Sequence, residues 1–170
     1  MMCSAAQDRD GAPAAHTVAS RLAQFGRASE LRWAPHFAKA GVAFPPEHVV
    51  FLALKSERRL EVYAAGGTNT PRFIRAFPIL AASGGSGPKL REGDLQVPEG
   101  RYRIQLLNPN SRFHVSLRVN YPSPEDVAVA EREERTGLGG DIMIHGSNVS
   151  VGCLAMGDEV LGASRSGSWP

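Results

Sequence analysis

The chain of 170 residues is poor in cysteine, with only two, and poor in aromatic residues, at 7%. Two cysteines do not make the disulfide framework of a small secreted scaffold, and Cys3 sits in a polar, Ala- and Gly-containing start that reads as disordered. Cys153 is thereby left as an unpaired thiol that needs a chemical reason. A formal net charge of +2 with so few aromatics provides neither a basic stripe nor stacking platforms, so no nucleic-acid partner is expected. Apolar runs such as Val49 to Leu54 fall far short of the roughly 18 residues that a bilayer-crossing helix needs, so no membrane span is expected either. Asp8, Arg9 and Asp10 stand where the apolar core of a secretory leader would lie, and no leader is visible.

What the chain does have is a change of hydrophobic period, which divides it. Residues 1–16 lack periodicity and read as a flexible arm. Residues 17–47 form a helical lead-in: Val18, Leu22, Phe25 and Leu31 recur at helical spacing behind Thr17 as N-cap. Gly26 and Pro35 are expected to interrupt that helix, leaving a second short one from His36 to Ala40 that ends at Gly41. From His48 the pattern becomes strand-like, and residues 48–161 are expected to form the principal domain, with an irregular tail over 162–170. The length suits one domain with a proper core.

Within the principal domain, Val49 to Leu54 reads as a short buried strand, Lys55 to Arg59 as a hairpin turn, and Leu60 to Tyr63 and Phe73 to Leu80 as further strands. The Gly-rich stretch from Ala82 to Lys89 and the turn signals at Glu92-Gly93-Asp94 and Val97-Pro98-Glu99-Gly100 predict a loop-rich rim. Tyr102, Ile104 and Leu106 alternate with Arg101, Arg103 and Gln105. After a turn at Asn108 to Ser111, Phe113, Val115, Leu117 and Val119 alternate with His114, Ser116, Arg118 and Asn120. Residues 101–120 therefore read as a half-buried hairpin. Ser123, Pro124 and Asp126 carry the signature of a capped helix that runs to about Arg132. The fold class expected is mainly β with short flanking helices, an α+β arrangement.

The stretch from Gly139 to Met156 gathers a thiol, an imidazole, a hydroxyl and several glycines. Ile142 and Ile144 alternate with Asp141, Met143 and His145, so His145 faces away from the apolar side at the end of a strand. Cys153 follows it by eight residues, one tight excursion. A neighbouring imidazole activates a cysteine as nucleophile, and Gly152 allows a sharp turn whose N–H, with that of Cys153, could line an oxyanion hole. Ser150 is outside any Gly-x-Ser-x-Gly elbow and is expected to hydrogen-bond within the turn. One Cys and one His without further ligands do not make a zinc site, so neither metal nor cofactor is expected.

His145-Gly146 followed by Ser150-Val151-Gly152-Cys153 resembles the catalytic motif of the L,D-transpeptidases, the YkuD-type family. Gly87 to Asp94 and Val97 to Tyr102 are similar to that family's substrate-side loop and strand, and the tail Gly-Cys-Leu-Ala-Met is similar to its short-loop murein branch. The resemblance implies an L,D-transpeptidase-like β-sandwich over 48–161 that acts on peptidoglycan stem peptides in the periplasm or cell envelope. It implies Cys153 as nucleophile forming a thioester, His145 as its partner, and Gly152 and Ser150 at the oxyanion turn. Lys89, Tyr121 and Gly146 are then candidate substrate contacts. Common members carry a histidine directly before Gly-Cys and an arginine soon after it, where this chain has Val151 and Leu154-Ala155-Met156. The missing arginine removes an anchor for a substrate carboxylate. One alternative is a murein hydrolase releasing peptide or lipoprotein from peptidoglycan; another, of a different class, is a non-catalytic peptidoglycan-binding domain.

Overall fold

A computed structural model of the chain describes residues 15–112 and 114–158. The expected N-terminal arm, apart from its last two residues, and the C-terminal tail lie outside them, as does Cys3. Helix α1 (Val18–Ala40) starts at a reciprocal cap, with the Ser20 N–H donating to Thr17 Oγ1 and the Thr17 N–H to Ser20 Oγ, and stops at Gly41 in the left-handed region, φ 66°. The expected division into two helices is corrected: α1 runs unbroken through Gly26 and Pro35. A proline costs an interior helix about 3 kcal/mol. Here the residues around it pack on the first sheet, with the Trp33 ring centroid 5.5 Å from Phe77 and Phe37 buried in a cluster with Val62, Ala64 and Ile74. That burial offsets the lost hydrogen bond. The first half of α1 is less sheltered than its spacing predicts, since Leu22 and Leu31 stay exposed.

Strands β1 (His48–Leu54), β2 (Arg59–Ala65) and β3 (Arg72–Pro78) form an antiparallel sheet in that order. The middle strand buries Leu60, Val62 and Ala64 in strict alternation. The expectation that Val49 to Leu54 is buried fails for Val49, Val50 and Leu52, which are nearly half exposed because β1 is an outer strand. A second sheet follows, ordered β4-β8-β7-β6-β5, from β4 (Ala81–Ala82), β5 (Ile104–Ser111), β6 (His114–Val119), β7 (Met143–His145) and β8 (Leu154–Ala155). Between β6 and β7 lies α2 (Pro124–Arg132), capped as its spacing predicts: the Ser123 N–H donates to Asp126 Oδ2 and the Asp126 N–H to Ser123 Oγ.

Two details of the hairpin differ from expectation. Asn108 to Ser111 belongs to β5, where a register shift and an Asn110 N–H bond to Asn108 Oδ1 replace the turn. A second shift between Ile104 and Leu106 breaks the alternation, and both residues are exposed on this outer strand. β7 is also shorter than the expected Asp141 to His145, because Asp141 adopts a positive φ of 55° that a strand does not accommodate. The sheets meet through Leu60, Ile79, Val97, Ile144, Leu154 and Met156, while Phe37, Val62, Ala64 and Ile74 join α1 to the first sheet. Among the described residues the result is mainly β with two helices, a two-sheet sandwich.

Candidate active site

Strands β7 and β8 pair in parallel, with Ile144 opposite Leu154 and His145 opposite Ala155. Ile144 and Leu154 enter the core between the sheets. Because side chains alternate along a strand, Met143 and His145 take the other face of β7, and Cys153 directly precedes β8. The Met143 N–H donates to Cys153 Sγ at 3.4 Å, and the sulfur lies 3.8 Å from the Asp141 carbonyl oxygen. Cys153 precedes Leu154 and His145 follows Ile144, so the two lie one residue to either side of a paired position on adjacent segments.

His145 is buried, and its Nδ1 is hydrogen-bonded to the carbonyl oxygen of Gly146. A carbonyl can only accept, so Nδ1 carries a proton in this hydrogen bond. The Met156 N–H donates back to the His145 carbonyl oxygen at 2.8 Å, which holds the strand end. Burial pushes the Cys153 thiol above its ordinary range and the Asp141 carboxylate adds to this, while the Met143 N–H and the Lys89 ammonium work against it. The resting group is therefore a thiol, and making it a nucleophile requires a proton acceptor.

The turn before Cys153 is held from outside. Gly152 has φ 84°, the left-handed region where a glycine is unstrained. Its N–H donates to Ser83 Oγ at 2.5 Å, so the expected oxyanion donor at Gly152 is already committed. Ser83 in turn donates its hydroxyl proton to the Leu95 carbonyl oxygen at 2.7 Å, and its N–H to Ser150 Oγ at 3.3 Å. Ser150 Oγ donates to the Cys153 carbonyl oxygen at 2.6 Å, a hydrogen bond within the turn. One hydroxyl at the end of β4 thus bolts the cysteine turn to the rim loop. Sequence reasoning missed Ser83, since a serine in a Gly-Ser loop carries no signal until β4 pairs with β8, Ala82 opposite Leu154.

Lys89 and Tyr121, expected at the substrate, are both buried and their polar atoms serve the protein. Lys89 Nζ donates to Asp94 Oδ1 at 2.7 Å and to the Arg91 carbonyl oxygen at 2.8 Å. The Tyr121 hydroxyl sits between the carbonyl oxygens of Lys89 and Leu138, and burial, then the nearby carboxylates of Asp126 and Asp94, push its pKa up to about 12. Asp94 organises the loop: it also accepts the N–H groups of Leu90, Arg91 and Gln96. Burial alone would raise its pKa, but the Lys89 bond and those three N–H groups hold it far below the usual carboxylate range. Among the described residues, no three His, Cys, Asp or Glu side chains gather closely enough to hold a metal ion.

A two-sheet domain that presents a cysteine turn beside a histidine-ended strand defines the class: a β-sandwich with a candidate thiol site. Residues 47–162 match the YkuD family model, the L,D-transpeptidase catalytic domain, and the chain belongs to that family. It is 36% identical over 107 residues to the "Putative L,D-transpeptidase YafK" of Escherichia coli strain K12, and equally to that of strain O157:H7. Each match covers 62% of this chain and 41% of the relative, so the chain spans about two fifths of the length of these curated relatives. The solved structure of Bd1075 from Bdellovibrio bacteriovorus aligns at a TM-score of 0.44 and 25% identity, covering 66% of this chain and 40% of that one. Among the described residues no helix is long and apolar enough to cross a membrane.

Proposed function

We propose that the chain is a cysteine-dependent L,D-transpeptidase that acts on peptidoglycan stem peptides through a thioester, in the cell envelope, with residues 48–161 as the catalytic domain. The observation that supports the proposal is the parallel pairing of β7, which ends at His145, with β8, which directly follows Cys153, inside the segment that matches the family. His145 Nε2 takes the thiol proton as Sγ attacks the carbonyl between an L-centre and a D-amino acid, typically diaminopimelate and D-Ala. The C–N bond breaks, the departing amine takes the proton from His145, and the thioester remains. An acceptor amine then attacks the thioester and gives up a proton to His145; the new C–N bond forms, the C–S bond breaks, and the proton passes to sulfur to restore the thiol. With the Gly152 N–H given to Ser83, the proposal assigns oxyanion binding to the Cys153 N–H.

Intact-protein mass spectrometry with a carbapenem, a strained acyl donor, tests the nucleophile: a covalent adduct is expected that Cys153→Ala lacks. Incubation with sacculi tests the outcome, since new cross-links or amine exchange report transfer and released peptides alone report hydrolysis. No adduct together with unchanged muropeptides would leave a non-catalytic wall-binding domain.

A further inference from the structure

Arg118 takes no part in the acyl-transfer steps. In the β6–β7 register Arg118 lies opposite Met143 and Ser116 opposite His145, while Leu117 packs against the core with Ile144. Ser116 Oγ lies 3.9 Å from Met143 Sδ, which places these side chains on the outer face. Arg118, Met143 and Cys153 therefore form a row across three adjacent strands. Two strand spacings separate the ends of that row, about 10 Å between Cα atoms. Cys153 and Arg118 stand at the two ends of that row, with Met143 between them.

Arg118 Nη2 pairs with Asp141 Oδ1 at 3.0 Å, and the Asp141 side chain is 78% exposed. Arg118 Nε is buried and has no hydrogen-bond partner among the described residues. Nε and Nη2 form the side-on fork of a guanidinium, which fits both oxygens of one carboxylate. Asp141 fills one prong of it through an exposed, weak and exchangeable ion pair. Leu154, Ala155 and Met156, after the cysteine, are buried and apolar and supply no cation.

We propose that Arg118 determines substrate specificity by taking the α-carboxylate of the D-amino acid on the leaving side of the scissile bond, a place that Asp141 holds in the substrate-free chain. The assignment of the leaving side rests on the proposed attack by Cys153. Two synthetic stem peptides test it, identical except that one ends in the D-Ala carboxylate and the other in its primary amide. By calorimetric titration the chain binds the acid at least tenfold more tightly than the amide. Arg118→Gln weakens the acid at least tenfold and the amide less than twofold. Arg118→Lys, which keeps the charge without the fork, falls between, and Asp141→Asn tightens the acid. An acid preference retained in Arg118→Gln, equal weakening of both peptides, or no binding of either overturns the proposal. Should Arg118→Gln fail to fold, a folded Arg118→Lys with the full preference overturns it instead. Binding does not require reaction: an Arg118-dependent preference without any Cys153-dependent product sinks the acyl-transfer function and keeps the carboxylate site. Turnover of both peptides at equal kcat/KM keeps the function and removes Arg118 from it.

Discussion

Replacing Asp94 by asparagine removes one negative charge while keeping the shape of the side chain, and the structure sets the size of the effect. Lys89 and Asp94 form a 2.7 Å ion pair whose side chains are only 6% and 14% exposed. The same carboxylate accepts the N–H groups of Leu90, Arg91 and Gln96, so four donors converge on two oxygens. An asparagine keeps one oxygen and turns an NH2 toward donors on the other side. Breaking a buried pair from one end costs about 3–5 kcal/mol, because the remaining charge is stranded. The residual solvent access of Asp94 trims this to about 3 kcal/mol, a fall in Tm of about 6–12 °C for a chain of this size. Urea unfolding of both proteins at pH 7 measures it. Lys89→Met in the Asp94→Asn background should restore about 1–2 kcal/mol, since the stranded ammonium goes with it. The pH dependence follows from the depressed folded pKa. The stabilisation is complete above the unfolded value of about 3.9 and is lost as pH falls below it toward the folded value. The gap between wild type and variant should thus be constant from pH 7 to about 5 and shrink below about 4. A gap under about 0.5 kcal/mol at pH 7, or one that has closed by pH 5.5, would refute this account of the loop.

The raised Cys153 pKa predicts that iodoacetamide labelling of the Cys153 peptide is still accelerating between about pH 8.5 and 10; a plateau reached by pH 7.5 would contradict the buried thiol. In Gly152→Ala a Cβ would meet Gln96 O at 3.5 Å, ordinary contact, so the loss arises from the left-handed backbone and should be about 1–2 kcal/mol in denaturant titration. Ile144→Ala, in the core between the sheets, should cost about 2–5 kcal/mol, whereas Leu106→Ala on the outer strand should stay within about 0.5 kcal/mol. Equal losses at Ile144 and Leu106 would mean that the second sheet does not pack as described.

Much of the fold is local and could be read along the chain. Thr17, Gly41 and Ser123 act as caps because capping depends on atoms within a few residues, and the β2 alternation follows from the two-residue repeat of a strand. The placement of His145 away from Ile142 and Ile144 follows from the same repeat. Wherever exposure depends on a neighbour in space, local pattern misled: β1 looks buried but is an outer strand, and Pro35 looks like a helix end but is overridden by packing of the flanking aromatics.

By itself the sequence determined the residue types at the site, Cys153, His145 and Gly152, and their order within a family-like motif. Only the tertiary structure decided what those residues meet. The parallel pairing of β7 with β8 brings the end of one strand at His145 beside the segment that follows Cys153, Ser83 arrives from the end of β4 to take the Gly152 N–H, and β6 sets Arg118 opposite Met143. Lys89 and Tyr121, expected as substrate contacts, are drawn inward because Asp94 and two carbonyl oxygens satisfy them there. The physical reason is common to all of these: hydrogen bonds and ion pairs between residues distant in sequence exist only once the sheet registers have brought their partners together.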